Sequence, residues 1–400
     1  MNYDEYLSAL EAKTIRKELA FPVAEYEQRI ASVQSRLVEA GLDGLLVSFI
    51  SNACYLSGYQ AFAADMPVYV VVPQSGAPTL ISTSLEVPNS LLCGWMDDLR
   101  ATSWQDPNAA ADEICAVLNE KGLAKGRIGL ETRRSGLNVV VYQRILERLA
   151  TASFEDASDL VANVRRIKSP AELEHMRKAG SIGKLGVEAG CAAVHDGATE
   201  NDVAAAAFDA MTRAGSEYYS TQPIITAGYR TAWAHASFKR EPIKRGDTVF
   251  LELGGVYQRY HCGLMQTAVV GPPSDEILRL ADAANGAIDT LLGTVKAGRV
   301  ASDVAREMEP TLADVADEAL TAGMFGYSIG LAFPPTWREM INFISHDNHD
   351  ELETGMTFHS PFSLRIPNRL GVGFSETWAV TDDGCEVLTP HDRSLFVAEA

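Results

Sequence analysis

The residue most out of keeping with its neighbours is Glu252. It stands in the run Thr248-Val249-Phe250-Leu251-Glu252-Leu253-Gly254-Gly255-Val256, so apolar that both faces of the strand it predicts must be buried. An unpaired carboxylate there is strongly disfavoured unless it keeps its proton, which makes Glu252 a candidate base or nucleophile. The plainer alternative, a carboxylate held by Arg259, Arg338 or a backbone donor, stays open. Of the eight histidines, His175 and His195 fall on or beside predicted helices, and His346, His349 and His391 fall in polar, aspartate-rich loops. His235, His261 and His359 stand at strand ends or in apolar surroundings, where an imidazole suits proton transfer. For His261 and His359 a core role with both ring nitrogens satisfied is an equal alternative.

Two differently organised halves must position these residues. The first alternates helix and strand: a helix over about Ala24 to Ala40, buried strands at Gly44 to Phe49, Val68 to Val72 and Thr79 to Ile81, then helix, strand, helix through Leu149. That alternation predicts an α/β layer domain. It carries no Gly-x-Gly-x-x-Gly and no Gly-Lys-Ser/Thr, so a phosphate cradle is not expected. A boundary follows at Val164 to Glu174, where Ser169 as N-cap, Pro170 at the first helical position and Glu172 predict a capping box and a new helix. The domains are therefore placed at 1–163 and 164–400.

The second half repeats itself. Gly197-Ala198-Thr199-Glu200-Asn201-Asp202-Val203-Ala204 and Gly298-Arg299-Val300-Ala301-Ser302-Asp303-Val304-Ala305 match at Gly, Asp, Val and Ala, each between two apolar helices. Strands follow both copies, at Ile224 to Thr226 and Thr248 to Val270, then at Met356 to Phe358 and Phe374 to Val380. A duplication of this kind tends to place its site where the copies meet.

Composition bounds the function. The 400 residues carry 34 Lys+Arg against 53 Asp+Glu, a net charge of -19, so an electrostatic nucleic-acid binder is excluded. No apolar run approaches the roughly 20 residues that span a bilayer. The acidic start lacks a secretory pattern and predicts a cytoplasmic protein. The six cysteines are scattered, without the spacing of a disulfide framework or zinc ribbon.

Several motifs resemble one known superfamily. The linker Arg-x-Ile-Lys-Ser-Pro-Ala-Glu-Leu-Glu from Arg165, His235 ahead of Lys244-Arg245-Gly246-Asp247, Glu252-Leu253-Gly254-Gly255, Gly326-Tyr327-Ser328-Ile329-Gly330 and Gly355-Met356-Thr357-Phe358 look like the creatinase/aminopeptidase P/methionine aminopeptidase superfamily. The resemblance implies an α/β (α+β) chain: a creatinase-like N-terminal domain, then a C-terminal pita-bread domain with an internal pseudo-twofold duplication. Within the superfamily, ectoine hydrolases and creatinase-type members are most similar, through Gly255 to His261, Gly326 to Gly330 with Pro334-Pro335-x-Trp337, and Met356 to His359. The loop Gly58 to Met66 lacks the aromatic and histidine-rich run shared by ectoine hydrolases, so the substrate is expected to differ while the reaction type is kept.

In the metallopeptidases of this superfamily five acidic and histidine ligands hold two divalent ions. The resemblance carries those places onto Glu252, Gly263, Tyr327, Pro361 and Ser375, of which only Glu252 remains a plausible ligand. No metal and no cofactor are therefore expected. The vacated pocket implies a metal-independent hydrolase of a C–N bond in a small amidine, guanidine or cyclic amide. His235 and Glu252 are its catalytic candidates, with His261, Tyr327, His359 and Glu376 as substrate-binding candidates. A pocket offering both Glu252 and Glu376 would suit a cationic or zwitterionic substrate. Gln266, where creatinase carries glutamate, argues against creatine itself. The family further implies a homodimer. An Xaa-Pro-type metallopeptidase with a rearranged site and a non-catalytic binding relative remain the alternatives.

Overall fold

The computed structural model describes residues 15–399, which divide into two compact units between Arg165 and Arg166. The first contains α1 (Val23–Ala40), β1 (Gly44–Val47), α2 (Ile50–Ser57), β2 (Val68–Pro73), β3 (Thr79–Thr83), α3 (Val87–Cys93), β4 (Leu99–Thr102), α4 (Pro107–Glu120), β5 (Arg127–Leu130), α5 (Val139–Arg148), β6 (Ser153–Asp156) and α6 (Leu160–Arg165). Its strands form one mixed sheet in the order β4-β3-β2-β1-β5-β6. The apolar rows of β1 to β3 and β5 are covered by Ile114 and Leu118 of α4 and Val141 and Ile145 of α5. No helix among the described residues is long and apolar enough to cross a membrane.

The second unit opens with α7 (Pro170–Ala192), whose start is the capping box read from the sequence: the Ser169 hydroxyl accepts from the Glu172 amide and the Glu172 carboxylate accepts from the Ser169 amide. A tight turn leads into α8 (Glu200–Arg213), then β7 (Ile224–Ala227), β8 (Thr248–Tyr257) and β9 (Tyr260–Val270). The second copy runs through α9 (Asp275–Thr294), α10 (Ala301–Met308), β10 (Gly326–Ile329), β11 (Arg338–Ile344), β12 (Thr357–Ile366) and β13 (Leu370–Val380), followed by β14 (Cys385–Val387) and β15 (Phe396–Ala398). One sheet has the order β15-β9-β8-β7 and the other β11-β10-β12-β13-β14.

The two sheets join along β9 and β13 by paired contacts that repeat the duplication. The Thr377 hydroxyl accepts from the Gly263 amide and donates to the Gly263 carbonyl. The Thr267 hydroxyl does the same with Gly373. Glycine at both places lets the strands approach closely enough for one hydroxyl to serve both backbone groups.

Two features depart from the sequence reading. Thr248 to Val270 is a hairpin, turned at Gln258 and Arg259 with φ of 51° and 67°. Neither residue is a usual choice for such a turn, and the Glu217 carboxylate holds it by accepting both their amides. Strand β12 runs without a break from Thr357 to Ile366, far beyond Phe358, although Pro361 lies within it. Its pairing with β10 stops at His359, so Pro361 has no β10 partner that would need its missing amide hydrogen.

Candidate active site

The second unit encloses a cavity of about 530 Å³, within the size range of small-molecule sites. Directly opposed residues on neighbouring strands share a face, and the row Ile224, Glu252, Met265 across β7, β8 and β9 forms part of the cavity wall. Around it stand His235, Tyr327, Arg338, Pro361 and Arg365. Glu252 is therefore where an acid in an apolar strand was expected to be of use: 7% exposed, facing the cavity. Among the described residues its carboxylate has no ion pair or hydrogen bond from a side chain or the backbone, so the plainer alternative of a tied-up carboxylate is set aside.

Burial pushes the Glu252 carboxyl up to about 7, against the opposing pull of the Arg365 and Arg338 guanidinium groups. Arg365 is buried, its guanidinium lies 4.5 Å from the centre of the Phe250 ring and it donates to the Thr231 carbonyl. Burial lowers its pKa and the Glu252 charge opposes that, yet an arginine stays cationic at any working pH. Arg338 is exposed at the mouth. Two fixed cations thus face one acid. The expected pairing of Glu252 with Glu376 is corrected accordingly, and of the cationic and zwitterionic substrates expected, these charges favour a zwitterionic one.

His235 lies in an exposed loop with φ 61°, a left-handed conformation rarely adopted by residues with a side chain. The loop is tied at both ends: Arg230 donates to the Ser237 carbonyl, and the Ser237 hydroxyl donates to the Pro223 carbonyl at 3.3 Å. This strained placement presents the imidazole to the cavity. Of the non-glycine residues with positive φ among the described residues, His235 is the one that lines this cavity.

Tyr327 also lines the cavity, and behind it lies a buried hydrogen-bonded row. The Trp337 indole donates to the Tyr327 oxygen at 2.8 Å. His359 Nδ1 shares a hydrogen bond with that oxygen at 2.7 Å, and His359 Nε2 shares one with Ser375 Oγ at 2.8 Å. Burial raises the Tyr327 phenol, reinforced by the nearby Glu252 charge, and holds the His359 imidazole neutral, its pKa lowered to about 3. His359 thus supports the cavity wall from behind and does not line it.

Two further candidates lie elsewhere. His261 is buried, with Nδ1 3.1 Å from the Gly330 carbonyl and Nε2 3.2 Å from the Tyr218 hydroxyl, and burial lowers its pKa to about 3. Both ring nitrogens are satisfied, the core alternative. Glu376 is opposite Ser360, whereas Ser375 is opposite Pro361 on the cavity side. Successive strand residues alternate faces, so Glu376 points away, where it accepts from the Thr389 hydroxyl at 2.7 Å and pairs with Arg393 at 3.2 Å. Arg365 is the residue that sequence reasoning missed. It lies four residues past Pro361, in a strand that the proline had masked.

Both units match known protein families. The pattern of metallopeptidase family M24 matches residues 174–382, and that of the creatinase/prolidase N-terminal domain matches residues 29–167. The chain belongs to metallopeptidase family M24. An ectoine hydrolase of Halomonas elongata is 28% identical over 96% of this chain and 100% of its own length. An Xaa-Pro dipeptidase of Lactobacillus delbrueckii subsp. lactis is 24% identical over 91% and 97%. The fold matches an Xaa-Pro dipeptidase from Bacillus anthracis with a TM-score of 0.81 at 22% identity, covering 93% of this chain and 99% of the other.

The residues present do not fit the two metal ions that the M24 name implies. A side chain built at Gly263 would meet the Trp337 ring at 3.1 Å and the His359 ring at 3.2 Å, so the space of one carboxylate ligand is filled by rings. Pro361 offers no donor, and the Tyr327 and Ser375 oxygens are engaged with His359. Among the described residues no group of three or more His, Cys, Asp or Glu side chains is arranged to hold an ion. This M24 hydrolase keeps the fold with a different set of polar groups at its centre.

Proposed function

We propose that the protein hydrolyses a C–N bond in a small zwitterionic amidine or cyclic amide without a metal, ectoine being the first compound to try. The observation that carries this reading is the unpaired carboxylate of Glu252 on the wall of a cavity whose other fixed charges are Arg338 and Arg365. Ectoine is a cyclic amidine bearing a carboxylate. Its amidinium would face Glu252, and its carboxylate would face the arginines, with Arg365 as the desolvated partner. The likeness to an ectoine hydrolase along nearly the whole chain supports the same reading.

Glu252 acts as the base that takes a proton from the attacking water. The water oxygen bonds to the amidine carbon and the C=N electron pair passes to nitrogen. Collapse of the adduct then breaks one ring C–N bond. The adduct hydroxyl passes its remaining proton to His235 as His235 gives one to the departing nitrogen, so the oxygen becomes the amide oxygen, the nitrogen leaves as an amine, and the proton first taken by Glu252 is released to that amine or to solvent. A liquid-chromatography screen of ectoine, hydroxyectoine, creatine and proline dipeptides tests the reading. Ring opening of an amidine carboxylate is expected, with little or none for the same ring lacking its carboxylate. Cleavage of proline dipeptides alone would replace this reading with a peptidase.

A further inference from the structure

We propose that Ser375 and His359 are positioning residues which, together with Trp337, turn the hydroxyl hydrogen of Tyr327 into the cavity, where it donates to the oxygen being installed on the substrate carbon. The last step of this inference rests on the hydrolase reading above, whereas the arrangement of hydrogens does not.

The arrangement follows from counting donors. An indole N–H only donates, so the Tyr327 oxygen accepts from Trp337. A neutral imidazole has one N–H and one acceptor nitrogen, which leaves two possible directions for the bonds joining Ser375, His359 and Tyr327. Ser375 decides between them. It is fully buried, and its hydroxyl has one partner among the described residues, His359 Nε2. Were Nε2 to carry the hydrogen, the serine O–H would be left without an acceptor in a dry interior. The serine therefore donates to Nε2, Nδ1 carries the imidazole hydrogen, and Nδ1–H donates to the Tyr327 oxygen.

That oxygen then accepts twice, from Trp337 and from His359. Its own hydrogen is wanted by neither, and the remaining side of Tyr327 is the cavity that also holds Glu252 and His235. A phenol whose ionisation is opposed by burial keeps its proton and acts as a fixed hydrogen-bond donor. The rings that exclude a metal ligand at Gly263 are thus the same rings that orient this donor. The tyrosine polarises the forming carbon–oxygen bond without transferring its proton.

Long-range nitrogen-15 NMR on imidazole-labelled protein reads the tautomer directly, the His359 signals being identified by their loss in His359→Asn. Protonated Nδ1 and bare Nε2 are expected, with the opposite tautomer gaining population in Ser375→Ala. On a substrate that the wild type turns over, Tyr327→Phe is expected to lower kcat about 100-fold or more with little change in KM. His359→Asn, whose amide N–H can stand where Nδ1–H stood, is expected to retain more of kcat than His359→Ala. A His359 protonated at Nε2, or an unchanged kcat in Tyr327→Phe, overturns the proposal. If the wild type opens none of the amidines, the hydrolase reading fails while the NMR result still decides the relay.

Discussion

Replacing Glu252 by glutamine is expected to lower kcat by about 100- to 10,000-fold, the range for loss of a positioned base. Glutamine keeps the size of the side chain and removes its charge, and the native carboxylate makes no structural bond among the described residues that the change would break. The same variant has a second, opposite signature. Because the folded pKa of about 7 lies above the ordinary value of 4.5, the folded protein holds this proton over a range where the unfolded chain has lost it. Stability from that difference is fully present below about 4.5 and is lost as pH rises through about 7, leaving a cost of about 3 kcal/mol at alkaline pH. Glu252→Gln is therefore expected to melt higher than wild type at pH 8 and close to it at pH 4.5. In wild type, kcat/KM is expected to rise with pH through about 7, as the carboxylate form appears. Full activity in the variant would remove Glu252 from the chemistry.

The second large effect is expected at Arg365. Methionine there keeps apolar contact with Phe250 while removing the desolvated cation, so KM for a carboxylate-bearing substrate is expected to rise by about 100-fold, as for loss of one partner of a buried charged pair. With the cation gone, Glu252 holds its proton more tightly, and the rising limb of the pH profile moves upward. Arg338→Met is expected to do much less, because an exposed charge is screened by water and salt. An unchanged KM in Arg365→Met would show that substrate carboxylate binds elsewhere or is not required.

These expectations show how unevenly the site could be read from the sequence. Glu252 was legible because a charge within an apolar strand is costly enough to stand out with no partner in view. The start of α7 was legible because a capping box is written within four consecutive residues. Glu376 misled because strand residues alternate faces: a shift of one position from Ser375 moves a side chain from the buried row behind the cavity wall to the opposite side of the sheet. Arg365 was hidden behind Pro361, which reads as the end of a strand unless the partner's early termination is known. His261 and His359 could be narrowed to two roles each, but choosing between core and cavity depends on which side chains meet across strands far apart in sequence.

The proposed hydrolysis has an M24 fold working through its own acid, histidine and tyrosine in place of two metal ions. The most direct test is elemental analysis of the purified protein, combined with turnover, before and after exhaustive chelation, of the amidine carboxylate that the chromatographic screen finds to be opened. No stoichiometric manganese, zinc or cobalt is expected, and rates of ring opening are expected to be equal in both samples. Two metal equivalents per chain, together with an activity abolished by the chelator and restored by the ion, would contradict the proposal.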